Sequence, residues 1–531
     1  MIVRRPLLAA IAALLVATPL AAQTTAAPEI ATGRSARTAG TAARYMVAAA
    51  NPLAAAAGRE ILARGGSAVD AAIAVQLVLN LVEPQSSGIG GGAFLLHYDR
   101  ARHDLVTLDG RETAPAAATP ERFLGPDGKP MPFAQAVVGG RSVGVPGTLK
   151  LMEEAHRRWG RLPWADAFAP AIRLAEEGFA ISPRLAGQLA AEKALPADPR
   201  ARAYFYREDG TAKPAGERLA NPAFARTLKA LAAGGGASFY EGEIAADIVE
   251  TVRSHPTNPG DMTPEDLRAY RVEERAPVCG RYRVYRVCGM GPPSSGAVAV
   301  QQILGVLEGH DLARLGPGPE AAHLFAEAGR LAYADRALYL ADPAFVPVPL
   351  PGLVDRDYLR DRARLVDPAR SMGRAKAGEP PRKSGVLLAP SEGVEHGTSH
   401  ISIVDGAGNA VSMTTTIEDG FGARLMTRGG FLLNNELTDF SLGPVEEGRP
   451  VANRVEPGKR PRSSMAPTIV FDAFDRLYVV TGSPGGSLII NFVAKTLVGI
   501  LDWRLDPQVA VDLPNMGSRN GPTELERGTE A

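Results

Sequence analysis

From about Thr148 to Pro343, apolar residues return mainly at intervals of three and four; from His400 onward they come in short runs bounded by turn residues. PLAAAAGREILARGG predicts a helix with Pro52 near its start, where a missing N–H does no harm, and Gly65-Gly66 at its end. Ser67 and Asp70 have capping-box spacing ahead of AAIAVQLVLNLV, so a second helix follows. That helix runs into the glycine-rich turn of EPQSSGIGGG and then a strand-like AFLLHYD. The segment contains Gly88-x-Gly90-x-x-Ala93, but a dinucleotide fingerprint follows a strand and opens a helix, and here the order is reversed. Close backbone packing in a turn is the reading that fits. LKLMEEAHRRW, WADAFAPAIRLAEE before Gly178, and PEAAHLFAEAGRLAYADRALYLADP have helical period, and nothing in their stripes demands chemistry. HISIVD, AVSMTTT, FLLNN, APTIVFD and RLYVVTGS predict short strands, with Asp405-Gly406-Ala407-Gly408-Asn409 turning between the first two. The implied layering is a sheet-rich C-terminal part with helices on both sides.

The N-terminus departs from both patterns. Arg4 and Arg5 precede an apolar stretch from Leu7 to Leu20 and a small-residue site at Ala21-Ala22-Gln23, which predicts a signal peptide over residues 1–22. The apolar run is shorter than the ~20 residues a spanning helix needs, so the expectation is export, periplasmic or secreted, without a stable membrane anchor. Residues 23–44, rich in Ala, Thr and Gly without a sustained period, read as a flexible linker. With 58 basic and 58 acidic residues among 531, no net field draws nucleic acid, which points to a small molecule or the chain itself as partner. On one continuous strand Cys279 and Cys288 would stand about 30 Å apart at ~3.3 Å per residue. A hairpin turning near Arg283-Val284 would instead let them bond, and the pattern leaves disulfide and buried thiols both open.

Three places suggest chemistry. In EHGTSHISIVD, Gly397-Thr398 comes just before a predicted strand, which puts the threonine hydroxyl at the mouth of the sheet. His396 and His400 would need a helix to converge on a metal, and the β run that follows argues against one. In GSPGGSLIINFVAKTLVGIL, Gly485-Gly486 fall between a strand and the first turn of a helix, where free N–H groups can form an oxyanion hole. Arg111, Glu418, Glu436, Asp439, Ser463 and Ser464 together suit a zwitterion: the arginine and hydroxyls for a carboxylate, the acids for an ammonium.

With these residues quoted, the chain resembles the γ-glutamyltranspeptidase family from about Asn51 to Glu526. The matching stretches are VEPQSSGIGGGAF, LDGRETAP, GVPGT, GPPSSG, AYADRALYLADP, GTSHISIVDGAGNAVSMTTTIE, FLLNNELTDFS, PGKRPRSSMAPTIV and GSPGGS, in the family's order. The resemblance implies an α+β fold, the four-layer αββα sandwich of N-terminal-nucleophile hydrolases, and a proenzyme that cuts itself before a threonine. On that reading residues 45–397 are a large subunit and 398–531 a small one, both forming one αββα unit, with the cleavage site at Gly397-Thr398. Thr398 matches the nucleophile, Thr416 the threonine that supports it, and Gly485 and Gly486 the oxyanion amides. Arg111, Ser463 and Ser464 match the residues holding the glutamyl α-carboxylate; Glu418, Glu436 and Asp439 match those holding its α-amino group. No cofactor or metal is implied, and the expected substrates are γ-glutamyl small molecules such as glutathione. The sequence departs from the family pattern at Ser399, often a threonine, at Leu488, usually an arginine, and between Ser441 and Glu456, where the lid tyrosine of some relatives is missing. The small part is also expected to lack the family's terminal strands and helix.

The freed α-amine of Thr398 would serve as the base, since its reference pKa of about 7.7–8.0 leaves much of it neutral at pH 7. Two other functions compete. A cephalosporin (glutaryl) acylase-like amidase would leave three acids around a neutral methylene, without a cation. A non-maturing exported amino-acid-binding protein would keep the pocket and never cleave.

Overall fold

The computed structural model describes residues 37–381, 388–391 and 395–529. The predicted signal peptide, and linker 23–44 up to residue 36, fall outside them. Strands β1 (Met46–Ala49), β2 (Gly92–Asp99), β3 (Asp104–Gly110) and β4 (Glu273–Arg275) combine with two strands from far along the chain, β7 (Ser399–Val404) and β8 (Ala410–Thr416). Their order is β1-β7-β8-β2-β3-β4, antiparallel throughout. A second sheet joins β5 (Val278–Tyr282) and β6 (Tyr285–Gly289) to β9 (Thr468–Phe471) and β10 (Leu477–Thr481) in the order β10-β9-β6-β5.

Alternation along β2 shows why these become stacked layers. Successive side chains leave opposite faces of a strand. Ala93 and Leu95 join an apolar cluster with helices α1 (Pro52–Ala63) and α2 (Ala68–Val82), whereas Phe94, Leu96 and Tyr98 join another with Val287, Ile469 and Phe471 of the second sheet. Helices α5 (Gly296–Leu307), α6 (Pro319–Tyr339) and α7 (Ile489–Leu501) supply residues to that second cluster and cover its far side, completing an αββα sandwich. Between α2 and α5 in chain order, α3 (Thr148–Trp159) packs on the outer face of the first sheet and α4 (Ala169–Glu177) packs on α2.

The capping box forms as expected: the Asp70 N–H donates to Ser67 Oγ at 3.1 Å and the Ser67 N–H to Asp70 Oδ2 at 2.8 Å. Two expectations need correction. FLLNN is not a strand; the Leu433, Asn434 and Asn435 amides donate to the carbonyls of Leu425, Gly90 and Ile417, so the segment closes the end of the first sheet instead of extending it. WADAFAPAIRLAEE is not one helix but a 3₁₀ turn, Trp164–Phe168, followed by α4, because Pro170 has no N–H to continue the ladder across the junction. The open question about the cysteines resolves toward a bond: β5 and β6 form a hairpin turning at Arg283-Val284, and Cys279 and Cys288 face each other and are joined.

Candidate active site

Thr398 is the residue immediately before β7, and Thr416 is the last residue of β8. Strand pairing therefore brings the mouth of the sheet together across 18 positions, and both threonines are buried. The Gly397–Thr398 bond is intact. The Thr398 hydroxyl donates to the Gly397 carbonyl, and the Thr416 hydroxyl donates to the same oxygen at 2.6 Å. Thr416 Oγ1 in turn accepts the Glu418 N–H at 2.7 Å, which fixes its proton toward Gly397. The Gly397 N–H donates to the Glu418 carbonyl at 2.5 Å, so the residue before Thr398 is held through both its backbone N–H and its carbonyl. Glu418 adopts a φ of 76°, a left-handed conformation uncommon outside glycine, as the chain turns out of β8.

Under this mouth lies an excess of buried acid. The Arg111 guanidinium is fully enclosed; its Nη2 donates to Asp439 Oδ2 at 2.5 Å and its Nη1 forms an ion pair with Glu436. Its Nε and Nη2 also donate to the carbonyls of Pro461 and Arg462, at 3.2 and 3.0 Å. Burial opposes the arginine's charge, but Glu436 and Asp439 outweigh it and hold the guanidinium firmly protonated. For both acids burial is the larger influence and raises them well above the carboxylate range, despite Arg111. Glu112, next in the chain and also buried, is pushed up to about 8 by desolvation. Both Glu112 oxygens, both Glu436 oxygens and Asp439 Oδ1 receive no aligned hydrogen bond. Three carboxyl groups thus share one guanidinium, and a buried charge left unpaired is costly.

Glu418 belongs to an adjoining group. Its Oε1 faces His396 Nδ1 at 3.3 Å, and Oε2 accepts from Asn435 and, at 3.3 Å, from the Thr438 hydroxyl. Burial disfavours the His396 cation, but the hydrogen bond and charge of Glu418 overcome it and raise the imidazole to about 9. His400 is unlike it: hydrogen-bonded to Thr414 and Ser402 between the sheets, it is pushed down to about 3 by burial and stays neutral. The two histidines point into different surroundings, and no metal-ligating cluster occurs among the described residues.

Ser463 and Ser464 follow the carbonyls that hold Arg111, yet they do different things. Ser463 Oγ accepts the Met465 N–H at 3.1 Å, a turn contact. Ser464 takes part in a carboxylate cradle: its N–H and hydroxyl donate to Glu395 Oε2 and Oε1 at 2.7 and 2.8 Å, while Arg336 Nη2 donates to Oε1 at 2.6 Å. The Gly485-Gly486 turn leads into α7 and lies against the same segment. The Ser487 N–H donates to the Glu395 carbonyl at 3.1 Å, and a Cβ on Gly486 would collide with that carbonyl.

Sequence reasoning missed Glu112, Arg336 and Glu395. Glu112 and Arg336 sit within LDGRETAP and AYADRALYLADP, but a charged residue on a helix reads as solvated until packing shows it buried, as Arg336 is on α6.

A family model described as Gamma-glutamyltranspeptidase matches residues 54–530. The glutathione hydrolase proenzyme of Bacillus subtilis (strain 168) is 40% identical over 479 residues, covering 89% of this chain and 80% of that one. The acylase ACY 1 proenzyme of Pseudomonas sp. (strain V22) is 37% identical, covering 92% and 84%. Among solved structures, a cephalosporin acylase from Bacillus halodurans superposes with a TM-score of 0.77 at 29% identity, covering 94% of this chain and 88% of that one.

Proposed function

The chain belongs to the γ-glutamyltranspeptidase family, and we propose that it matures by cutting its own Gly397–Thr398 bond and then uses Thr398 to take γ-glutamyl groups from small amides such as glutathione. The observation carrying this reading is the pair of threonine hydroxyls on the Gly397 carbonyl. Thr398 Oγ1 attacks that carbon, Thr416 stabilises the charge developing on the oxygen, and the C–N bond breaks as the Thr398 nitrogen takes up the hydroxyl proton. Water then opens the ester, giving a Gly397 carboxylate and a Thr398 with a free α-amine and hydroxyl. In turnover the α-amine accepts the hydroxyl proton, Oγ1 forms an acyl-enzyme with the γ-glutamyl carbonyl, and water or an amino-acid amine releases it. Gly485 and Gly486 are the proposed oxyanion amides of this second reaction. Residues 45–397 and 398–531 become the large and small subunits.

Arg111 and Ser464 are assigned to the donor carboxylate, with Ser463 shaping their turn, and Glu418, Glu436 and Asp439 to its ammonium. Support comes from the surplus of buried carboxyl groups, for which an ammonium supplies the missing cation. The acylase relatives favour a glutaryl donor as a second reading. Export rests on the N-terminal pattern; among the described residues no helix is long and apolar enough to cross a membrane. A denaturing gel tests maturation: two fragments are expected, the smaller beginning Thr-Ser-His-Ile, and one intact band would instead favour a binding protein. Rates on γ-glutamyl and glutaryl anilides separate the two enzyme readings, and preference for the glutaryl compound would remove the ammonium assignment.

A further inference from the structure

The three residues ahead of the cleavage site are each tied down by groups the proposed donor site uses. Both backbone groups of Glu395 engage Ser487: its N–H donates to Ser487 Oγ at 2.8 Å, and its carbonyl accepts the Ser487 N–H. Its carboxylate fills the cradle of Ser464 and Arg336, and Arg336 is oriented by donating through Nε to Ser295 Oγ at 2.8 Å and through Nη2 to Ser464 Oγ at 2.7 Å. His396 lies 3.3 Å from Glu418 and 4.0 Å from Asp419, with its ring against Phe133 at 4.9 Å. Glu395 and His396 side chains are 10% and 13% exposed, so both are held inside the site and not on its rim. An anion thus sits on Ser464 and a cation on Glu418, two of the contacts assigned above to the two ends of an amino-acid head group.

We propose that Glu395-His396 is a built-in stand-in for the donor's amino-acid head, occupying Ser464 among its carboxylate contacts and Glu418 among its ammonium contacts and thereby holding the Gly397–Thr398 bond in place for self-cleavage. The inference rests on the donor site proposed above and extends it to the uncleaved chain. Binding energy that the mature enzyme would use to orient a donor orients the chain's own peptide first, since a reacting carbonyl gains most from being fixed near its nucleophile. Arg336 and Glu395 are positioning residues: neither touches the Gly397 carbonyl. Because Ser464 and Glu418 serve both occupants, a donor can engage them only after Glu395 and His396 have left these two contacts.

Competition tests this without any substitution. The chain is made by cell-free synthesis and its conversion to two fragments is followed on a denaturing gel, with and without L-glutamate; in parallel, L-glutamate is assayed against the mature enzyme's γ-glutamyl anilide hydrolysis. The expected result is that concentrations inhibiting the mature enzyme also slow self-cleavage several-fold. Inhibition of the mature enzyme with self-cleavage unchanged overturns the inference while leaving the donor site standing; no inhibition of the mature enzyme at all overturns the donor site on which it rests. Among variants, self-cleavage is expected to fall at least tenfold in Glu395→Ala and less in Glu395→Gln, which keeps one acceptor for Ser464 but loses the other and the charge facing Arg336. Equal rates in wild type and both variants would also overturn it.

Discussion

At the scale of single residues, the proposed self-cleavage converges on the Gly397 carbonyl, and Thr416 is the sharpest test of it. Thr416→Val keeps the shape of the side chain and removes the donor at 2.6 Å; losing one oxyanion donor typically costs about 10²–10³ in rate, so fragment formation should slow on that order. Gly486→Ala should also block maturation, since its φ of 54° and the nearby Glu395 carbonyl leave no room for a Cβ. Arg111→Lys keeps the charge but not the fork that reaches Glu436 and Asp439 together, so the anilide KM should rise tenfold or more with a smaller change in kcat. An unchanged KM would remove Arg111 from the donor site. His396 gives a pH test: Glu418, Asp419 and Asp439 raise it to about 9 from 6.5, so its contribution is complete below pH 6.5 and is lost as pH rises through about 9. The ratio of wild-type to His396→Gln cleavage rates should follow that course, and a ratio flat from pH 6 to 10 would show that the imidazolium does not hold the segment. Thr398, Thr416 and the acids could be picked out from the sequence because their motifs are local. Glu395 could not, because its meaning depends on Arg336 and Ser464, 59 and 69 positions away.

Among the elements, α2 and the turn after it support the site from beneath. Gly90 and Gly91 lie so close to the Leu432 and Thr416 carbonyls that a Cβ on either would collide, which confirms close backbone packing as the reason for the glycine-rich run. The capping box sets where α2 begins, and Asp70 Oδ2 also accepts the N–H groups of Arg161 and Leu162 at 2.9 and 3.2 Å, tying the end of α3 to the start of α2. Ser67→Ala should therefore cost about 1 kcal/mol in urea unfolding and Asp70→Ala clearly more, because two further backbone donors lose their partner. Equal losses would mean that the loop contacts add nothing. Helices α1, α2 and α6 and strands β7 and β8 were legible because each carries its own period and its own start and stop signals. FLLNN misled because an apolar run fits a strand or a buried loop equally well, and only the Gly90 and Ile417 carbonyls decided between them.

For the molecule as a whole, the strand order decides what cleavage can do. Strands β7 and β8, which follow Gly397, lie between β1 and β2, which precede it, and β9 lies between β10 and β6. Breaking one peptide bond leaves every ladder intact, so the fragments should co-elute in native size-exclusion chromatography and separate only in denaturant; separate native peaks would contradict the interleaving. The sequence by itself determined the family, the threonine proposed as nucleophile and most of the helices and strands, because those depend on residues close together in the chain and on short-range periodicity. Tertiary structure alone decided the strand order, the burial of Arg336 and the contacts of Ser464 and Glu418 with the chain's own Glu395 and His396. These depend on contacts between residues tens to hundreds of positions apart, and a one-dimensional pattern carries no signal for which distant polar groups meet once water is excluded.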